Sequence, residues 1–353
     1  MLRTWRQRLT LTDVFIWVIG LAIAVAVIWG SISTLRLHIY SGSGWIDLTI
    51  RGLALGGVYA LIAMGYTMVY GILKMINFAH SEVFMSGPFT ACFVALGLAS
   101  SGFLNAQPVI SLAIILVVSM GVSAGIALLL ERICYRPLRT APRLVPLITA
   151  IGASFFLQYT FRGLFGSGSF GYPAIKALQQ SWTISGIQIF KTQVVVIAGS
   201  VLMMLILFAI VQWTKIGKAM RAVSEDKEAA ELMGINVDSI IVFTFGLGGA
   251  SAGAAGVLYT LLFPVVNFYM GFIPGIKAFT AAVLGGIGNV PGAFLGAIIL
   301  GLLESVGPNL FLTGLGIPSP SQLKDAIAFI VLVLILIFRP TGLLGERISR
   351  DKA

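Results

Sequence analysis

In the stretch Asn77-Phe78-Ala79-His80-Ser81-Glu82, an amide, an imidazole and a carboxylate fall close together in an otherwise apolar chain. Such a trio could gate a path, contact a passing solute or relay a proton. A second carboxylate, Glu304, stands inside an apolar run, and Tyr59, Tyr66 and Tyr70 recur at spacings of seven and four, along one side of a helix. Ionisable groups within apolar spans are costly, so each is a functional hypothesis. Each also has a structural reading. Asn77 or Ser81 would cap a helix starting here, with Glu82 complementing its dipole. His80 would be a hydrogen-bonded structural imidazole, and the tyrosines would pack against neighbouring helices. Glu304 must pair, sit in water or be protonated; Arg51 and Lys277 are the candidate partners.

Enzyme chemistry finds little to work with. The chain has 2 histidines and 2 cysteines, and no acids cluster inside its apolar runs. Cys92 and Cys134, both in apolar settings, read as packing residues rather than a disulfide or a metal site. The run GGIGNVPG is not a dinucleotide loop, because the third glycine that Gly286 and Gly288 would require is Pro291. Gly217-Lys218 is followed by Ala219, so no phosphate-binding loop of the Walker type is present either.

The other charged feature is Ser224–Gly234, SEDKEAAELMG. Of the 13 acids, Glu225, Asp226, Glu228, Glu231 and Asp238 fall in it or just after it. Ser224 suits an N-cap, Glu225 and Asp226 the positive end of a helix dipole, and Gly234 a left-handed stop. Ala229, Leu232 and Met233 share one face. A helix of about nine residues is not stable alone in water. It packs on its own membrane domain, lies in the headgroup layer, or enters a groove on a soluble partner. Its anionic side chains disfavour an anionic lipid surface.

These groups must be held by membrane helices. The chain is 58% hydrophobic and 10% charged, with mean hydropathy +0.99 and several apolar runs of about 20 residues. Backbone groups in lipid must pair internally, which leaves helices or a closed barrel, and these runs do not alternate as barrel strands do. The fold class is therefore an all-α polytopic membrane protein. Ten spans are expected, roughly 14–35, 48–73, 81–100, 109–130, 143–165, 193–213, 240–262, 275–288, 290–312 and 323–338, the eighth short enough to be broken or tilted. The first is read as a retained helix, being longer than the apolar core of a cleaved signal peptide.

The net charge of +10 reflects a basic cytoplasmic side rather than a nucleic-acid partner. With the N-terminus inside, sixteen Lys and Arg fall on the cytoplasmic side (Arg3, Arg6, Arg8, Lys74, Arg132, Arg136, Arg139, Arg143, Lys215, Lys218, Arg221, Lys227, Arg339, Arg347, Arg350 and Lys352). Seven do not: Arg36, Arg51, Arg162, Lys176, Lys191, Lys277 and Lys324. Both termini and Ser224–Gly234 then lie in the cytoplasm, and the segment 166–192 outside. That loop, with Tyr172 and Trp182, is either a solvated loop with an aromatic anchor or a docking surface for an external partner. Gly249 and Gly253, Ala252 and Gly256, and Gly288, Gly292 and Gly296 have the spacing that lets helices approach closely.

The spacing Glu228-Ala229-Ala230 followed by Gly234 resembles the loop by which ABC importer permeases dock on their ATPases. The wider run GKAMRAVSEDKEAAELMGINVDSIIVFTFGLGGASAGAAGVLY is similar to the branched-chain amino-acid permease family, the Liv type. So are GLALGGVYALIAMGYTMVYGILKMINFAH, ERICYRPLRTAPRLVPLITAIGASFFLQ, GFIPGIKAFTAAVLGGIGNVPGAFLGAIILGLLES and RPTGLLG, which together cover about 46–346. Of the two permeases such systems use, the chain resembles the LivH kind.

The resemblance implies a non-catalytic subunit of a bacterial inner-membrane importer with a fold like that of type II importers. It implies a second, LivM-like permease, two cytoplasmic ATPase subunits that use ATP and Mg, and an external binding protein, with no cofactor in this chain. Ser224, Glu225, Glu228, Ala229, Ala230, Leu232, Met233 and Gly234 would form the ATPase-coupling helix. Tyr59, Tyr66, Asn77, His80, Glu82 and Glu304 remain the candidate substrate path. Ser81 stands where the family often has glycine, and residues 1–45, with the first span, have no counterpart in short members. The permease core is expected over 46–340, with the coupling loop at 214–239 and a tail at 341–353. The cargo would be branched-chain or other neutral hydrophobic amino acids; urea or short amides would suit the same path. A secondary transporter is the alternative class, with few intramembrane ionisable groups to support it.

Overall fold

The computed structural model describes residues 11–139, 141–142, 144–184, 187–339 and 341–345. Of the basic residues used to orient the chain, Arg3, Arg6, Arg8, Arg143, Arg347, Arg350 and Lys352 lie outside the described residues, as does the tail beyond 345.

The elements run α1 (Leu11–Arg36), α2 (Gly42–Leu73), α3 (His80–Ser100), the single turn α4 (Phe103–Ala106), α5 (Pro108–Leu130), α6 (Leu144–Phe165), α7 (Lys191–Trp213), α8 (Lys215–Glu225), α9 (Lys227–Leu232), α10 (Val237–Leu262), α11 (Phe272–Gly285), α12 (Val290–Gly307) and α13 (Lys324–Phe338). Turns of π-helix extend α5 over Glu131–Tyr135 and α12 over Pro308–Leu312. Among the described residues, 9 helices are long and apolar enough to cross a membrane. They match nine of the ten expected spans. The tenth, α11, has 14 residues, about 21 Å of helix against a hydrocarbon core of about 30 Å.

α11 is short because it starts inside the bundle. A Cβ on Gly271 or Gly275, at its first turn, would collide with Ser81 at the start of α3. α3 also starts inside: His80 lies against Gly65, well within α2, and Gly65 in turn lies against Gly248 of α10. The N-termini of α3 and α11 therefore meet in the interior, each reached by a non-helical segment. Such backbone is tolerated at this depth only because protein surrounds it.

The core is α2, with α3, α10, α11 and α12 around it, and every residue of α2 from Gly56 to Val69 is buried. Lipid-facing helices give no hydrophobic drive to one another, so contact depends on close backbone approach. The α2–α12 seam is the most extensive: Gly52 and Gly56 face the backbone of Gly301, Leu302 and Ile298, and a Cβ on Gly301 would overlap Gly56. Gly249 and Gly253 of α10 abut α5 at Ser123 and Ser119, and Gly256 abuts Pro88 of α3. Gly292 and Gly296 pack on α11, as their spacing predicts. Gly288 does not: it faces open space at φ +97° and serves the turn between α11 and α12. Residues 341–345 fold back on that turn, where the amides of Leu343 and Leu344 donate to the carbonyls of Leu284 and Gly285 at 2.8 and 2.9 Å.

α1 is peripheral. It meets the π-turn after α12 where Gly30 faces Phe311 and Gly314, and Trp17 packs edge-on against Phe338 at 5.8 Å. The segment 166–192 carries short strands. Phe170–Gly171 (β1) pairs antiparallel with Val265–Val266 (β4), and Ser181–Ile184 (β2) with Ile187–Phe190 (β3). Tyr172 is buried at 7% exposure, which removes it as an interfacial anchor, whereas Trp182 is exposed with the Lys191 ammonium 5.5 Å over its ring.

Gly301→Leu is expected to break the α2–α12 seam at a cost of about 1–3 kcal/mol or more. Gly125→Leu, whose Cβ would meet nothing within 4 Å, is the matched control. Thermal unfolding in detergent, followed by size-exclusion chromatography, should show a lower Tm for the first variant alone.

Candidate functional site: a buried carboxylate, an ion-pair cluster and a surface helix

Glu82 is 0% exposed, in the first turn of α3. Its Oε1 accepts from Gln158 Nε2 at 2.7 Å and from Ser154 Oγ at 3.2 Å, and Ser81 Oγ lies 3.3 Å away. Its Oε2 is buried and has no partner among the described residues. Neither expected cap forms. The N-cap residue is Ala79 with no side-chain bond, Ser81 Oγ donates to the carbonyl of Phe78, and Asn77 Oδ1 instead accepts from Tyr135 OH at 2.7 Å. Ser154 and Gln158, one turn apart on α6, were not legible as its partners, since nothing local ties α6 to α3.

His80 is buried against Tyr66, ring centroids 4.7 Å apart, and Tyr66 lies 6.1 Å from Phe279 of α11. Glycine at 65 is required, because a Cβ there would occupy the place of His80 Nε2. Glu82, His80, Asn77 and Tyr66 thus converge where α3 and α11 begin.

Glu304 belongs to a separate cluster. Its Oε1 accepts from Lys277 Nζ at 2.7 Å and its Oε2 from Tyr59 OH at 3.0 Å, and the same ammonium stands 2.6 Å from Asp325 of α13. Lys277 is 3% exposed and Glu304 is 4% exposed. Lys277 is therefore the expected partner but not an external surface charge. The other candidate, Arg51, pairs with Asp47 at 2.9 Å. The tyrosine stripe is divided: Tyr59 serves this cluster, Tyr66 packs on His80, and Tyr70 is half-buried.

At the opposite end, the expected helix Ser224–Gly234 is two pieces. α8 continues through Ser224, whose hydroxyl donates to the carbonyl of Arg221 at 2.7 Å, and ends at Glu225. Asp226, not Ser224, is the N-cap of α9 and accepts from the amide of Ala229 at 3.0 Å. Gly234 takes the left-handed conformation at φ +82°. The anchoring face also differs from expectation. Ala230 is buried, whereas Ala229 and Glu228 are exposed and Leu232 and Met233 are 89% and 83% exposed. α8 packs on α2, α7 and α10 through Gly217, Met220 and Val223, holding α9 at the surface.

Beside this helix a clamp ties the start of α10 to the end of α5. Asp238, in the first turn of α10, accepts from Arg136 at 2.7 Å and from Arg139, and Arg139 also bonds buried Glu131. Glu131 and Tyr135 bound the π-turn of α5, and Tyr135 reaches Asn77. Lys227, first in α9, has its ammonium held below its ordinary value by burial, then by Arg139 and Lys74. Beside α9 lies a cleft of about 1150 Å³, lined by Arg136, Glu231 and Asp238 on one side and by Leu128, Phe243 and Leu247 on the other.

Comparison with known proteins shows the family. The family described as "Branched-chain amino acid transport system / permease component" matches residues 48–336. The chain belongs to that family. It is a family of non-catalytic membrane subunits of ABC transporters. The high-affinity branched-chain amino acid transport system permease protein BraD of Pseudomonas aeruginosa is 41% identical over 305 residues, 86% of this chain and 96% of BraD. LivH of Escherichia coli is 39% identical over 307 residues, 86% of this chain and 96% of LivH. The autoinducer 2 import permease LsrC of Yersinia pseudotuberculosis is 33% identical over 138 residues, 35% of each chain. No solved structure matches. α1 lies outside the matched residues.

Lys277→Met is expected to leave Glu304 buried without its counter-ion and to destabilise the protein by about 3–5 kcal/mol. Lys277→Met with Glu304→Met should recover most of that loss. Unfolding of the two variants in one detergent tests the pair.

Proposed function

We propose that the chain is a translocation subunit of a binding-protein-dependent importer for branched-chain and similar neutral amino acids, and that α9 couples it to cytoplasmic ATPases. The observation that carries the coupling assignment is the exposure of Leu232 and Met233 on a short helix that could not persist alone in water. Two large apolar side chains side by side suit insertion into a groove of a soluble partner. Glu225, Glu228 and Glu231 would ring them with charge. The names of the relatives support the cargo, and the basic residues support an inner membrane with both termini cytoplasmic. A second, LivM-like permease, two ATPase subunits supplying ATP and Mg chemistry, and an external binding protein would complete the assembly.

Motion imposed on α9 would reach the interior through Asp238, the two arginines, the π-turn of α5 and Asn77, and so arrive beside Glu82. π-turns inside helices are frequent at functional sites. Glu82, with one oxygen fixed and the other free, would then serve as a gate or contact on the path, together with Tyr66, His80 and Asn77. Tyr59 and Glu304 would act nearer the outer end.

Leu232→Ser with Met233→Ser alters only exposed side chains. It should leave the membrane domain folded while co-purification of the ATPases and leucine uptake in proteoliposomes fall at least tenfold. Retention of both would refute the coupling assignment. Arg139→Gln should instead retain the ATPases but lower leucine carried per ATP hydrolysed, measured with the same assembly; an unchanged ratio would remove the clamp from the route.

A further inference from the structure

At the end of the bundle opposite α9 lies a cavity of about 630 Å³, formed where α2, α7 and α13 begin and where α10 and α12 end. That volume is within the range of about 300–1,000 Å³ found for small-molecule sites. Its walls have a definite chemistry. Leu55, Leu261, Leu262 and Phe263 form an apolar side. Two cations stand among the lining groups: Arg51, largely exposed and paired with Asp47, and Lys324, whose ammonium lies 5.9 Å over the Phe263 ring.

The buried polar groups carry the opposite sign. Gln193 is 7% exposed and lines the cavity, and its Oε1 is buried with no hydrogen-bond partner among the described residues. A buried amide carbonyl without a donor is costly, and it invites one. Glu304 also lines the cavity, and in its cluster Glu304 and Asp325 share the single ammonium of Lys277. Two carboxylates on one lysine leave a formal charge of −1 beside the cavity. Three other lining polar groups are already engaged: Ser305 Oγ donates to the carbonyl of Leu48, Thr192 Oγ1 to that of Leu178, and Asn309 Oδ1 accepts from Tyr40 OH.

We propose that this cavity is an entry site for a zwitterionic amino acid with an apolar side chain. The substrate ammonium is drawn to Gln193 Oε1 and the Glu304 cluster, its carboxylate to Arg51 and Lys324, and its side chain to the Leu55, Leu262 and Phe263 wall. The site demands both charges at once: an amine alone meets Arg51 and Lys324, and a carboxylate alone meets Glu304 and an unpaired carbonyl. It rests on the transport reading above for which face is external. It adds that the permease itself inspects the zwitterion as it arrives.

The test places a reporter on the apolar wall. Leu262→Cys is made in a chain carrying Cys92→Ser and Cys134→Ser, assembled with its partner subunits in right-side-out vesicles without binding protein. A membrane-impermeant thiosulfonate is added outside. Labelling should occur, and L-leucine should slow it at least threefold in a saturable way, while isoamylamine and 4-methylpentanoate do not. Adding Gln193→Leu should abolish the protection. Equal rates with and without leucine, equal protection by the two analogues, or no labelling from outside would each overturn the proposal. Protection that survives Gln193→Leu would overturn the role of that amide. Leucine uptake by the unsubstituted complex with its binding protein, measured in parallel, fails only if the transport reading itself is wrong.

Discussion

Helices in hydrocarbon gain nothing by hiding leucine from lipid, so this bundle is held where backbone can touch backbone. The seam between α2 and α12 shows the constraint most plainly. Gly52 and Gly56 on one side and Gly301 on the other bring the two chains so close that added methyl groups would overlap main-chain atoms. Serine hydroxyls then reach carbonyls across neighbouring helices: Ser119 donates to Gly253 at 2.8 Å and Ser123 to Val83 at 2.7 Å. The second bond falls five residues before Pro88, which interrupts the helix's own ladder at Phe84. Close packing on all sides of α2 makes the interior a place where ionisable groups must be fixed by neighbouring side chains. Non-helical backbone at the starts of α3 and α11 can exist there for the same reason.

What the sequence made legible follows from the range over which each signal acts. Apolar length is a local property, and nine spans emerge near their expected bounds, with the short eighth one real. Caps are local too, yet two candidates compete within a few residues at 224–226, and Asp226 prevails because α8 runs on through Ser224. The face of a short helix is less secure. Leu232 and Met233 suggest an inward stripe, but on α9 the buried anchor is Ala230, since α8 and Val237 already hold both ends of the segment. Lys277 is misleading in isolation: counted as an external charge, it is a buried partner of Glu304. Arg139 was unreadable as a clamp, because its acids lie 8 and 99 residues away in sequence.

The two carboxylates singled out from sequence differ in kind, and the difference bears on what each can do. Glu304 is saturated on both oxygens, by Lys277 and Tyr59, and its lysine also binds a helix outside the central group. Moving it would disturb α2, α11, α12 and α13 together, so it suits a fixed electrostatic feature. Glu82 is bonded on one oxygen only, by Ser154 and Gln158 of α6. A shift of α3 against α6 would release those donors and free the carboxylate without breaking any ion pair. The group poised to change state is therefore the one without a counter-ion.

That contrast gives the bundle a direction. At one end, Arg136, Arg139, Asp238 and Glu131 form a polar clamp on a π-turn. At the other end the Lys277 cluster is locked by helix packing. Asn77, His80 and Glu82 lie between the two. On the proposed coupling through α9, a substrate path through this interior would open from the clamp end, with the Lys277 cluster keeping its charge in place while the helices around Glu82 move.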